Sequence, residues 1–97
     1  MSKIIAVDID GTLTNETVGW DYATRTPNIA RIIGVNKLYD KGHTIILFTA
    51  RYPEDEEITR KWLADNKVKY HKLILGKPTY DVIIDDRALM PASLEFV

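Results

Sequence analysis

Short apolar runs alternate with polar, turn-forming stretches, and the spacing within each run predicts its form. Lys3 to Val7 is apolar, β-branched and of strand length, which predicts a strand buried on both faces. It ends in Asp8-Ile9-Asp10-Gly11-Thr12, where Gly11 marks a turn. Leu13 to Arg25 mixes polar and aromatic residues and reads as a loop or small hairpin. Thr26-Pro27 predicts a helix start, with Thr as N-cap and Pro at the first helical position. Ile29, Ile32, Ile33 and Leu38-Tyr39 follow helical spacing, and Gly42 is the expected stop. Thr44 to Thr49 predicts a second buried strand. Pro53 to Glu57 opens a second helix: its acidic first turn suits the helix dipole, and Ile58 with Trp62 forms an i, i+4 apolar pair before Asn66 ends it. Lys72 to Leu75 and Asp81 to Ile84 predict two more short strands.

This alternation argues for an α/β fold: a small, mainly parallel sheet covered by helices in a Rossmann-like, three-layer arrangement. In such sheets ligands bind beyond the carboxyl ends of the strands. Asp8, Thr49, Lys77 and Asp85 each fall at or just after the end of an expected strand, so four reactive side chains would meet at one edge. A length of 97 residues predicts one domain over 1–97, near the low end for a self-sufficient core. Such a thin core gains stability by association, so a homo-oligomer is expected. The net charge of -1 gives no general attraction to nucleic acid or membrane. Cysteine is absent, which excludes thiolate chemistry and fits a reducing compartment. The first apolar run reaches a carboxylate after four residues, too soon for a signal peptide or membrane span, so a cytoplasmic location is expected.

Attack on a phosphate monoester needs a nucleophile, here a carboxylate, and a means of offsetting repulsion between two anions. A hard divalent cation on oxygen ligands does this best, usually Mg²⁺. A fixed ammonium and hydroxyl donors must hold the phosphoryl oxygens, and an acid must protonate the leaving oxygen. Asp8 can attack, and Asp10 can swing toward the leaving group. Thr49 and Lys77 can bind phosphate, and Asp85 with Asp86 can complete the metal site. Gly11 and Thr12 join the expected phosphate-binding set. Arg51 either touches the substrate or pairs with Glu54 or Asp55.

Asp8-Ile9-Asp10-Gly11-Thr12 resembles the first motif of the haloacid dehalogenase superfamily phosphatases. Phe48-Thr49-Ala50 resembles the second, Gly76-Lys77-Pro78 the third and Ile83-Ile84-Asp85-Asp86 the fourth. The resemblance implies Asp8 as nucleophile and metal ligand. It implies Asp10 as general acid/base that also gives its backbone carbonyl to Mg²⁺. Thr49 and Lys77 would hold the phosphoryl group, and Asp86 would be the direct metal ligand with Asp85 as its neighbour. Neither usual insertion point has room for a cap domain, so a capless member is implied. Part of the chain, including Phe48-Thr49-Ala50-Arg51, is similar to capless members linked to sugar-phosphate or capsular polysaccharide metabolism.

The expected substrate is therefore a small phosphorylated metabolite. Nucleic-acid 3′-phosphatases are also capless, but near-neutral charge disfavours that substrate. A receiver-like phospho-acceptor module would use similar residues in the reverse order and without Asp10. A binding protein on a decayed enzyme scaffold would not keep the full acidic set. Trp20 and Tyr22 either line the pocket mouth or cover the sheet edge. His43 is expected to be structural, and His71 has no evident partner.

Overall fold

The computed structural model describes residues 2–16, 19 and 21–91. The strands β1 (Ile4–Val7), β2 (Thr44–Phe48) and β3 (Lys72–Ile74) form one parallel sheet in that spatial order. The helix α1 (Ile29–Asp40) connects β1 to β2, and α2 (Glu56–Asp65) connects β2 to β3. Parallel neighbours cannot be joined by a tight turn, so each helix carries the chain back to the start of the next strand. This α/β arrangement is consistent with a Rossmann-like fold.

Register decides which side chains share a face. Ile5 lies opposite Ile45, Val7 opposite Leu47, and Leu47 opposite Leu73. With the two-residue strand period, these five occupy one face. They pack with Ile32, Val35 and Leu38 of α1 and with Trp62 and Leu63 of α2 in a single core. On the other face Ile4, Ala6 and Phe48 are exposed. The expectations of strands buried on both faces and of three layers are thus met by two layers among the described residues. Both helices feed the same core, and residues 75–90 contribute neither helix nor strand.

The strand expected over Asp81–Ile84 is not formed, and Val82, Ile83 and Ile84 are exposed. The physical reason is length, since Gly76–Tyr80 is too short for a parallel crossover. The start of α1 also differs from expectation. Asn28 is the cap, its Oδ1 accepting the Arg31 N–H at 3.2 Å. Thr26 is instead drawn into pairing with the first loop, where its carbonyl accepts the Asn15 N–H at 2.9 Å and Pro27 bridges Thr14. Buried Trp62 ties α2 to the same loop, donating Nε1–H to the Arg25 carbonyl at 2.9 Å. No helix among the described residues is long and apolar enough to cross a membrane.

Candidate functional site

The sheet delivers three side chains to its carboxyl edge. Asp8 follows the last residue of β1, and Thr49 follows the last residue of β2. Lys77 arrives by a route that the sequence did not reveal. The Thr49 N–H donates to the Ile74 carbonyl at 3.0 Å, and the Lys77 N–H donates to the Thr49 carbonyl at 3.0 Å. The Gly76 N–H donates to the Arg51 carbonyl at 2.7 Å. Residues 49–51 and 74–77 therefore stay side by side beyond the last strand pair. Gly76 sits at φ +78°, a region open to glycine at no steric cost, and turns the chain so that Lys77 faces Asp8. Lys77 Nζ lies 3.3 Å from Asp8 Oδ1.

Asp8 is partly withdrawn from water. Burial pushes its carboxyl above the ordinary 3.8, opposed by the charge of Lys77 and by its hydrogen bond. The Lys77 side chain is only 10% exposed, and its ammonium lies near the Phe48 and Tyr80 rings, 5.3 and 5.5 Å from their centroids. Beside this pair, Thr49 is buried and its Oγ1 accepts the Arg51 N–H at 3.2 Å. The threonine hydroxyl keeps its own proton to donate into the cleft.

The turn after β1 is closed by its own hydrogen bonds. The Ile9 carbonyl accepts the N–H groups of Thr12, Leu13 and Thr14 at 3.1, 2.8 and 3.0 Å. Gly11, at φ +81°, donates its N–H to the Glu16 carbonyl and to Thr14 Oγ1. Arg31 of α1 donates Nη1–H to the carbonyls of Gly11 and Thr12 at 3.0 and 3.4 Å. Gly11 and Thr12 thus frame the turn with their backbone groups occupied, and they do not line the cleft.

Asp10 points into a cluster that sequence reasoning missed. Arg51 grips it with a fork: Nε donates to Oδ2 at 2.9 Å and Nη2 to Oδ1 at 2.7 Å. Arg51 therefore pairs with Asp10 and not with Glu54 or Asp55. Arg51 Nη1 also donates to Thr59 Oγ1 at 3.0 Å, and its guanidinium lies 4.0 Å from the Tyr22 ring centroid. Arg25 Nε approaches Asp10 Oδ1 at 3.5 Å, while its Nη2 donates to the Gly19 carbonyl at 2.8 Å. The only sequence signal for Arg25 was its place in a loop that starts beside the acidic turn.

Asp8, Asp10, Thr49, Arg51 and Lys77 line one cleft of about 530 Å³, within the range of small-molecule sites. Tyr22, Tyr52 and Tyr80 give it aromatic walls, and Arg25 lies at its side. Asp85 and Asp86 are not brought in. Both are exposed, and Asp85 Oδ1 accepts the Arg87 N–H at 2.8 Å. No cluster of three metal-ligating side chains occurs among the described residues. Trp20 lies outside the described residues. His43 and His71 sit at the opposite end of the sheet, where their Nδ1 atoms accept the N–H groups of Lys3 and Ile45, each at 3.0 Å. His71 also stacks on Tyr39.

No family model matches the chain, and no curated protein matches it. Among solved structures it is similar to an MCSG target from Vibrio cholerae, with 31% identity, a TM-score of 0.82, and coverage of 97% of this chain and 87% of that one. It also resembles a chain in the structure of the Pnkp1/Rnl/Hen1 RNA repair complex, with 24% identity and a TM-score of 0.68 over 82% of this chain. A further Pnkp1/Rnl/Hen1 complex gives 23% identity and a TM-score of 0.69 over 89% of this chain. The chain spans only 27% and 31% of those two chains, and at such identity they share the fold alone. The first likeness reaches further, because it covers nearly all of both proteins at substantial identity, and the chain belongs to the family of that Vibrio cholerae protein.

Proposed function

We propose that this protein is a capless phosphate monoester hydrolase of the haloacid dehalogenase type, working through an aspartyl-phosphate on Asp8. One observation carries the reading: the Lys77 ammonium lies against the Asp8 carboxylate at the carboxyl edge of a parallel sheet, beside buried Thr49 and with Asp10 two residues on. In this reading Lys77 and the Thr49 hydroxyl take the phosphoryl oxygens. An Asp8 oxygen attacks phosphorus, the bond to the leaving oxygen breaks, and Asp10 supplies that oxygen with a proton. Water then attacks phosphorus, returns a proton to Asp10, and frees Asp8 and inorganic phosphate.

The reading includes Mg²⁺ on Asp8, the Asp10 carbonyl and Asp86, with Asp85 nearby. The acidic groups as placed do not fit a metal, because Asp85 and Asp86 are exposed and do not line the cleft that holds Asp8. Asp85 and Asp86 would reach the site only if residues 78–86 were rearranged, because Gly76–Tyr80 is too short for Val82–Ile84 to join the sheet as a parallel strand. In the described residues β1 is an edge strand with Ile4 exposed, and Val82–Ile84 is exposed as well.

The substrate class that fits best is a small phosphorylated metabolite such as a sugar phosphate, which the aromatic cleft would enclose on several sides. A second reading, a polynucleotide 3′-phosphate, is favoured by the fold likeness to chains of an RNA repair complex. The deciding experiment is phosphate release from p-nitrophenyl phosphate, from a panel of sugar phosphates and from a 3′-phosphorylated oligonucleotide, with and without Mg²⁺. Metal-dependent release that disappears in folded Asp8→Asn is the expected result. Wild-type turnover in Asp8→Asn would remove the mechanism.

A further inference from the structure

We propose that Arg51 is the positioning residue of Asp10, held in its turn by Thr59 and Tyr22. The proposal rests on the phosphatase reading, in which Asp10 handles the proton.

The two members of this pair are unequally free. The Arg51 side chain is 1% exposed and that of Asp10 is 20% exposed. The guanidinium is held on three sides: by both Asp10 oxygens, by the Thr59 hydroxyl and by the face of Tyr22. A buried, planar cation held that way is a fixed reference. The carboxylate, on a turn beside the cleft, is the member with somewhere to go. A fork of two charge-assisted hydrogen bonds selects one orientation among the rotamers open to an aspartate, which a point charge does not do.

The fork also divides the cations. Lys77 serves Asp8, while Arg51, with Arg25 at 3.5 Å, serves Asp10. Without Arg51, Arg25 would remain beside Asp10 at 3.5 Å, with no fork to fix the carboxylate's orientation. Asp10 would then turn among its rotamers instead of holding the one the fork selects.

A purely structural ion pair would affect the amount of folded protein and leave turnover per folded molecule alone. The test is therefore kinetic and is made on folded Arg51→Lys and Arg51→Gln, with both a p-nitrophenyl and an alkyl phosphate. Arg51→Lys keeps the charge and loses the fork. Both variants should lower kcat about 10- to 100-fold, more on the alkyl phosphate, with KM nearly unchanged. In an Asp10→Asn background, Arg51→Gln should cost no more than about threefold further, because the group it positions is already gone. Independent, multiplying losses would overturn the proposal, as would equal losses on both substrates. A change confined to KM would make Arg51 a substrate contact instead. Should Arg51 variants fail to fold, Thr59→Val and Tyr22→Ala loosen the same guanidinium and should show the same leaving-group dependence. If the wild-type protein releases phosphate from nothing, the phosphatase reading fails on its own. A crystal structure of Arg51→Lys then decides: a displaced Asp10 carboxylate supports positioning, and an unmoved one refutes it.

Discussion

Replacing Thr59 by valine exchanges one hydroxyl for a methyl group in the interior and changes little else. Thr59 lies on α2, is 0% exposed, and its Oγ1 accepts the Arg51 Nη1–H at 3.0 Å. Valine has nearly the same shape, and both residues are β-branched with similar helix propensity, so backbone terms cancel. What remains is a buried, charged donor facing a methyl group. Hydrogen bonds to charged groups contribute about 1.5–3 kcal/mol, and leaving such a donor unmet costs a similar amount. The methyl recovers up to about 0.8 kcal/mol through its transfer from water. Arg51 cannot simply turn to solvent, since Nε and Nη2 remain fixed on Asp10. The expected net loss is about 1–2 kcal/mol, or a fall in Tm of roughly 4–16 °C for a domain of this size. Urea unfolding should show a lower midpoint with an unchanged slope. Thr59→Ser keeps the acceptor and loses a buried methyl, so its cost, about 1 kcal/mol, comes from packing. A Thr59→Val protein within about 0.5 kcal/mol of wild type would show that the hydroxyl contributes nothing to holding Arg51.

Chelation should abolish phosphate release and Mg²⁺ restore it, with Asp86→Ala raising the metal requirement more than Asp85→Ala; full activity in excess chelator would refute the metal site. Because the short connection keeps Val82–Ile84 off the open edge of β1, the amides of Ile4–Val7 should exchange with solvent equally fast in Ile83→Asp and in wild type, and faster exchange in the variant would show that the run docks there after all. Hydrogen bonding from Thr26, its side chain first and its backbone N–H second, holds the Glu16 carboxyl below the ordinary 4.5. The stability it contributes is therefore present above that value and lost as pH falls through the lower folded one. A carboxyl NMR titration placing Glu16 at or above 4.5 would contradict this.

The elements that depend on near neighbours were legible in the chain. Short apolar, β-branched runs located β1, β2 and β3, and apolar positions at helical spacing located α1 and α2; strand ends pointed to Asp8, Thr49 and Lys77 at one edge, but also to Asp85, which lies outside the cleft. Features that depend on distant neighbours were not legible. Arg51 and Asp10 are 41 positions apart. Nearby Glu54 and Asp55 were the natural partners to expect, yet the buried fork goes to the remote acid. Thr26-Pro27 carried a sound local helix-start signal, but pairing with Leu13–Asn15 moved the cap to Asn28. His71 had no evident partner because its bond to the Ile45 N–H requires the sheet to exist first. The Asp81–Ile84 run has strand composition without a crossover long enough to place it. The one-sided sheet follows from the same short connection.

Gly76 illustrates how a site can be set by main chain alone. A Cβ added there would find its nearest neighbour, Pro53 Cδ, at 4.0 Å, so space is not the constraint. The constraint is the left-handed φ, which a side chain tolerates poorly whatever the room around it. The Lys77 side chain is thus aimed into the cleft by a bend in the backbone and two amide hydrogen bonds, and the Phe48 and Tyr80 rings then flank its ammonium. The backbone part of this device does not depend on the identity of the surrounding side chains, because its hydrogen bonds join main-chain groups. It is sensitive at one codon, whose change would swing the lysine while leaving every charge in place.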